Sequence, residues 1–258
     1  MEPAMYLLLF LGGLAAGIIN TLAGNGSAIT LSLLIFTGMP ATAANATNRI
    51  GALVQTLTAV LSLRRTKRTL ILFKDSLWFF TPAVLGSVLG AFLAVDIDPI
   101  LLKRIIGGIM LFLLITMLYS PKKWARPTEV GKTRKTPLNW FLIFATAVYG
   151  GFIQMGIGIM LLAVLVLLAR YSLRDGNIIK LLLALIFVVP AFVVFASTGD
   201  MVWLPGLVLA AGQGVGALIG ARYILFLPKA NAIVKILLIV ILSVSSLSLL
   251  GVFEALSL

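Results

Sequence analysis

The stretch GIINTLAGNGSAIT, Gly17 to Thr30, sits where a membrane-crossing helix is expected to run unbroken. MYLLLFLGGLAA precedes it and LSLLIF follows, both apolar, and between them stand Asn20, Thr21, Gly24, Asn25, Gly26 and Ser27. Backbone that leaves the helix inside lipid has no water to satisfy its N–H and C=O groups, so such a break survives only where it faces a protein-lined cavity. The composition supplies the lipid. Of 258 residues, 61% are hydrophobic and 11% charged. A soluble domain of that apolarity would have nothing for its surface, and the chain reads as an all-α polytopic membrane protein.

Other classes fall away on residue types. The chain contains no cysteine, hence no disulfide framework or thiolate chemistry, and no histidine, hence no imidazole base or ligand. No HExxH motif, cysteine cluster or pair of deep carboxylates offers a metal site, so neither cofactor nor metal is expected and an intramembrane enzyme is disfavoured. The opening MEPAM lacks a positive n-region, so no cleavable leader is expected. The formal charge of +12 would suit nucleic acid in a soluble protein. In a membrane protein loop positives report orientation, and the bilayer is the expected partner.

Apolar runs cover 5–22, 28–37, 42–63, 76–94, 100–119, 138–155, 157–169, 176–197, 202–221 and 231–252, about eight to ten segments by simple counting. A spanning helix needs about 20 residues, so 28–37 and 157–169 are too short to cross. They hold corresponding places on either side of SPKKWARPTEVGKTRKTP, residues 120–137. The expected organisation is a first transmembrane repeat (1–119), a basic linker (120–137) and a second repeat (138–258). Basic residues crowd 64–74 and the linker, with Arg170, Arg174, Arg222 and Lys229 in two further loops. The positive-inside rule puts these loops in the cytoplasm of a bacterial inner membrane and both termini in the periplasm. That works if each repeat is a re-entrant or broken helical hairpin followed by three full spans. An odd number of crossings then turns the second repeat upside down.

The repeats also match in order. AGIINTLAGNG (16–26) lies over GGFIQMGIGIM (150–160), pairing Gly17 with Gly151, Asn20 with Gln154 and Gly24 with Gly158. ANATNR (44–49) and GNIIK (176–180) each open the next span. Inverted repeats with glycine-interrupted short helices at corresponding positions point to a secondary transporter whose site lies near the midplane. Helix N-termini in such breaks favour anions, and Ser27 reads as the N-cap of the helix over 28–37. Asn45, Asn48 and Arg49 share a face by i, i+3 and i+4 spacing, with Arg49 about 10 Å along its span. Asn177 and Lys180 form an i, i+3 pair in the other repeat. A deep arginine with no acidic partner costs about 3 kcal/mol on insertion scales, and a bound anion would supply the counter-charge. The candidate substrate residues are therefore Asn20, Thr21, Gly24, Asn25, Gly26, Ser27, Asn45, Asn48, Arg49, Gln154, Gly156, Gly158, Asn177 and Lys180.

Blander readings accompany each. The glycines also serve close helix packing, the asparagines also cap or tie helices, and Lys180 also reads as a lysine snorkelling to the cytoplasmic surface. Removing Arg49 is expected to weaken anion binding while leaving the fold largely intact.

Residues 15–49 and 149–185 resemble the two repeats of the sulfite exporter TauE/SafE family, also called the toluene-sulfonate uptake permease family. The Gly-rich break, GMP (38–40) before ANATN, and GNIIK carry the match. Asn25 and Met160 stand where family members often carry further glycines. The resemblance implies an inner-membrane carrier of sulfite, organosulfonates or similar small organic anions, working by alternating access, with an anion channel or a proton-coupled importer as alternatives. With the interior negative, each anionic charge moved outward gains about 2.3 kcal/mol per 100 mV, so export needs no coupling ion. A homodimer is compatible with so small a carrier.

Overall fold

The computed structural model describes residues 2–22, 24–63, 67–118, 135–222, 239–240, 243–244 and 246–247. The linker up to 134, Arg64, Arg65, Lys229 and most of the expected span 231–252 lie outside the described residues. Every regular element among those described is helical: α1 (Pro3–Leu22), α2 (Ser27–Phe36), α3 (Ala41–Leu61), α4 (Lys67–Ser76), α5 (Phe80–Val95), α6 (Pro99–Leu118), α7 (Pro137–Phe152), α8 (Ile157–Leu162), α9 (Leu173–Thr198) and α10 (Trp203–Arg222). A tight 3₁₀ turn, Leu77–Phe79, joins α4 to α5, and a π-helical stretch, Ala163–Leu168, extends α8. Pro3–Thr21, Lys67–Val95, Arg174–Thr198 and Trp203–Arg222 are long and apolar enough to cross a membrane. At ten residues α2 reaches only about half of a hydrocarbon core some 30 Å thick.

Local chemistry sets the helix ends. Pro40 precedes α3, where its missing N–H costs nothing. The Thr136 hydroxyl accepts the Asn139 N–H at 3.2 Å to cap α7, and the Ser172 hydroxyl accepts the Asp175 N–H at 3.2 Å to cap α9. Gly24, at φ 77°, closes α1 by donating to the carbonyls of Ile19 and Asn20. That left-handed conformation is one that a side chain resists.

Three sequence-based boundaries shift. Lys67, Arg68 and Lys74 stand on helix α4 rather than in a loop, because Leu70, Ile71 and Phe73 give this segment an outward apolar surface. Helix α9 begins at Leu173, so Arg174, Asp175 and the GNIIK segment are already helical. Helix α7 stops at Phe152, leaving Gln154 beyond its end.

Large apolar residues face outward as well as filling the core, and polar residues are buried among them. Leu7, Phe92, Phe112, Phe141 and Val193 are exposed, while Asn20, Asn45, Asn48, Arg49, Gln55, Lys180 and Gln213 are buried. An apolar exterior, with polar groups withdrawn into the interior, suits a multi-pass protein in lipid.

Helix pairing depends on glycine. α1 packs along α10, α5 along α7, α3 against α9 and α10, and α5 against α9. A Cβ on Gly17 would strike the Gln213 carbonyl of α10, and one on Gly151 would strike the Ser87 carbonyl of α5. Gly212 and Gly216 close on the carbonyls of Phe10 and Leu14, while Gly86 and Gly90 close on those of Phe144 and Val148. One constant shift carries Phe10, Leu14 and Gly17 onto Phe144, Val148 and Gly151. Another carries Gly86, Ser87 and Gly90 onto Gly212, Gln213 and Gly216. Exchanging α1 with α7, α3 with α9 and α5 with α10 thus maps these contacts onto one another. Small-xxx-small spacing permits such close approach, since lipid supplies no hydrophobic drive between helices.

Candidate functional site

The α1–α2 break is organised by Asn20. Its amide NH₂ donates to Gln55 Oε1 at 2.7 Å and to the Ser27 hydroxyl at 3.4 Å, and its Oδ1 accepts the Gly26 N–H at 2.6 Å. One side chain on the last turn of α1 therefore satisfies the turn that starts α2 and ties both to α3. Ser27 is the first helical residue rather than the cap; Gly26 precedes it as the boundary residue, with no side chain to cap the helix. The N–H groups of Ile29 and Thr30, which a capping Ser27 would accept, donate instead to the Gly26 carbonyl at 3.0 and 3.4 Å, so the helix has already begun at Ser27. The Thr21 hydroxyl bonds back to the Gly17 carbonyl within its own helix at 2.8 Å. Asn25 is fully buried in the turn.

The α7–α8 break runs from extended Ile153 through Gln154 into a turn at Met155 and Gly156, the latter at φ 71°. The Tyr149 hydroxyl donates to the Met155 carbonyl at 2.6 Å and pins the segment. Gln154 is buried, and its Oε1 has no partner among the described residues. The two breaks cross at Gly24 and Gly158, where a Cβ on either would overlap the other's Cα.

Arg49 occupies the end of α7. Its Nη1 donates to the Gly150 carbonyl at 2.7 Å, and its Nη2 to the carbonyls of Gly151 at 2.8 Å and Phe152 at 3.1 Å. Asn45 joins it: its amide donates to the Phe152 carbonyl at 2.9 Å, and its Oδ1 lies 3.4 Å from Arg49 Nη2. The guanidinium carbon sits 4.9 Å from the centre of the Phe195 ring. Arg49 is 0% exposed, yet no carboxylate is needed there. The last carbonyls of a helix are unpaired and carry about half a negative charge, and an aromatic face adds to this. Only Nε lacks a partner among the described residues. The expectation that the fold would tolerate loss of Arg49 therefore changes, because its removal strands the buried carbonyls of Gly150 and Gly151, leaving only that of Phe152 with a partner, Asn45.

Asn48, the residue before Arg49, accepts the Thr30 hydroxyl at 2.7 Å and joins α3 to α2. Asn177 and Lys180 make no hydrogen bond to any of these groups: Asn177 Oδ1 and Lys180 Nζ have no partner among the described residues. Lys180 is 2% exposed, so it does not snorkel to the surface. Two turns of α9, from Leu173, precede it, and its neighbours Ile179, Leu181 and Leu183 are packed into the protein core.

The structure thus joins Asn20, Gly26 and Ser27 with Gln55, joins Asn45 and Arg49 with the end of α7, and sets Gly24 on Gly158. Gln55, Thr30, Phe195 and Gln213 were not legible as site residues. Gln213 is fully buried with both amide atoms unpartnered among the described residues. Its signal was an amide inside the glycine-rich run AGQGVG of a span, and that of Gln55 a helical turn pattern continuing from Asn48. The ion pair between Arg68 and Asp175, 2.8 Å and bidentate, joins α4 to the first turn of α9 away from these breaks.

A family model described as sulfite exporter TauE/SafE matches residues 9–249. Among similar proteins, a probable membrane transporter protein ORF9 of Sinorhizobium sp is 31% identical over 245 residues, covering 93% of this chain and 91% of its own length. A probable membrane transporter protein of Haemophilus influenzae is 29% identical over 225 residues, with 84% of each chain covered. The probable membrane transporter protein YfcA of Escherichia coli K12 is 26% identical over 252 residues, covering 97% of this chain and 91% of its own length. No solved structure matches the chain.

Proposed function

The chain belongs to the sulfite exporter TauE/SafE family, and from that premise we propose that it carries sulfite or small organosulfonate anions out of the bacterial cytoplasm by alternating access. The crossing of two broken hairpins at Gly24 and Gly158, with Asn20, Asn25, Gly26, Ser27, Gln154 and Gly156 buried around it, carries this reading. Broken backbone at a midplane crossing provides donors to a ligand that lipid could not reach. On this reading the two halves flanking the linker are inverted repeats, supported by contacts that interchange when the halves are exchanged. The basic segments 64–74 and 120–137 face the cytoplasm and both termini the periplasm, as the positive-inside rule requires. The protein performs no covalent chemistry.

The test is flux in proteoliposomes under an imposed membrane potential, comparing sulfite, methanesulfonate, acetate and chloride. Saturable movement of the sulfur oxyanions, faster toward the positive side, supports the carrier. Unitary currents without saturation would establish a channel instead. Uptake that needs a pH gradient would replace uncoupled export with a proton-coupled importer.

A further inference from the structure

The two buried cations have different environments, and the difference assigns them different work. Arg49 is neutralised within the fold by three carbonyls at the end of α7 and the face of Phe195. Lys180 has none of this: its Nζ is buried with no hydrogen bond among the described residues. Nor is it aimed at a surface. Ile179 and Leu183 on one flank pack in a cluster with Ile143, Ile157 and Leu161 of α7 and α8. Leu181 on the other packs with Ala59 of α3 and Ala217 of α10. Lys180 lies between these flanks, on the same face as Phe187, whose ring lies against Gly150.

Position adds a second, independent point. Asn45 and Asn48 are the fifth and eighth residues of α3, and Asn177 and Lys180 the fifth and eighth of α9. The two helices pack on each other and exchange places when the halves are exchanged. On α3 both positions are held by protein, Asn45 on the Phe152 carbonyl and Asn48 on the Thr30 hydroxyl. On α9 both carry polar atoms without partners among the described residues.

Resting on the carrier reading above, we propose that Lys180, with Asn177 beside it, is the counter-charge for the transported anion, that Arg49 is not, and that the site therefore selects a small oxyanion of single negative charge. One uncompensated unit charge is balanced by one anionic charge; a dianion would leave a surplus in a medium of low dielectric. The ammonium is a compact charge whose three donors suit the oxygens of a sulfonate group.

The experiment measures equilibrium binding of methanesulfonate and of sulfate to the purified full-length protein in detergent, together with its unfolding temperature without ligand, for wild type, K180M and K180R. Wild type is expected to bind methanesulfonate at least tenfold tighter than sulfate. K180M should lose at least tenfold in methanesulfonate affinity while unfolding at the same or a higher temperature, since it removes a buried charge that holds nothing. K180R should keep the preference for the monoanion. Wild-type affinity in K180M overturns the assignment and leaves the carrier reading standing if flux persists. A K180M protein that unfolds at lower temperature, or fails to fold where K180R folds, makes Lys180 structural and overturns it as well. A wild type that prefers sulfate overturns the charge count. A wild type that binds neither anion and moves none overturns both readings.

Discussion

Gly24 and Gly158 lie backbone against backbone at the crossing of the two broken hairpins, and a methyl group on either would occupy the other's Cα. They contribute differently. Gly24 also needs its positive φ of 77° to end α1, whereas Gly158 stands within α8 and needs only the space.

Gly24→Ala should therefore cost more than Gly158→Ala: about 1–2 kcal/mol for left-handed backbone plus about 1–3 kcal/mol for overpacking, against the overpacking alone. Gly38→Ala isolates the first contribution, since Gly38 has a φ of 86° but open space around a built Cβ. Unfolding midpoints in one detergent should rank the variants Gly38→Ala, Gly158→Ala, Gly24→Ala in order of increasing damage. A Gly158→Ala protein as stable as wild type would mean the hairpins do not meet this closely.

Arg49 holds α7 by its end. Arg49→Ala leaves the carbonyls of Gly150 and Gly151 buried and unpaired, at about 1–3 kcal/mol each, while Asn45 still holds that of Phe152. Folded yield should fall sharply, and Arg49→Lys should recover only part of it because an ammonium cannot present the guanidinium fork. Size-exclusion profiles of the expressed variants decide this. Normal yield with lost transport would instead make Arg49 a ligand for the anion.

The Arg68–Asp175 pair should contribute little. Arg68 has 63% of its side chain exposed and Asp175 12%, so despite bidentate geometry the coupling should fall at or below about 1 kcal/mol. A double-mutant cycle with Arg68→Ala and Asp175→Asn measures it directly, and the coupling should shrink as salt is raised. Coupling of several kcal/mol would show that the pair latches α4 to α9.

Because Gly17, Gly212 and Gly216 on the α1–α10 seam correspond to Gly151, Gly86 and Gly90 on the α5–α7 seam, Gly90→Val and Gly216→Val should damage folding to a similar degree, each driving a side chain into a carbonyl of the facing helix. Gly108→Val, where a built Cβ meets nothing within 4 Å, should be tolerated. Parallel folded-yield measurements test the equivalence. A strong effect on one side only would show that the two seams bear different loads.

How far the sequence led can be read from these residues. Gly24, Asn25 and Gly26 announce a break because nothing else explains them inside an apolar run, and the spacing of Asn45 and Arg49 put them on one face, where they meet. Partner choice was hidden. That Arg49 would find the end of α7, and Asn20 would meet Gln55 of α3, depends on how separate helices are juxtaposed, which no local pattern encodes. Helix α4 was missed for a related reason. Lysine and arginine form helices readily, so charge marks an interface without marking a loop. The snorkelling expectation for Lys180 failed because helices packed against both flanks of α9 around it bury the side chain.

The central claim, that the crossing of the hairpins is where the anion is carried, is tested most directly by cysteine accessibility. The chain contains no cysteine, so Ser27→Cys and Gln154→Cys can each be placed alone. Oriented vesicles are treated with a membrane-impermeant maleimide added to one side or the other, with and without methanesulfonate. The account predicts that each cysteine is labelled from both sides and that methanesulfonate slows the labelling. Labelling from one side only, at a rate methanesulfonate leaves unchanged, would contradict it.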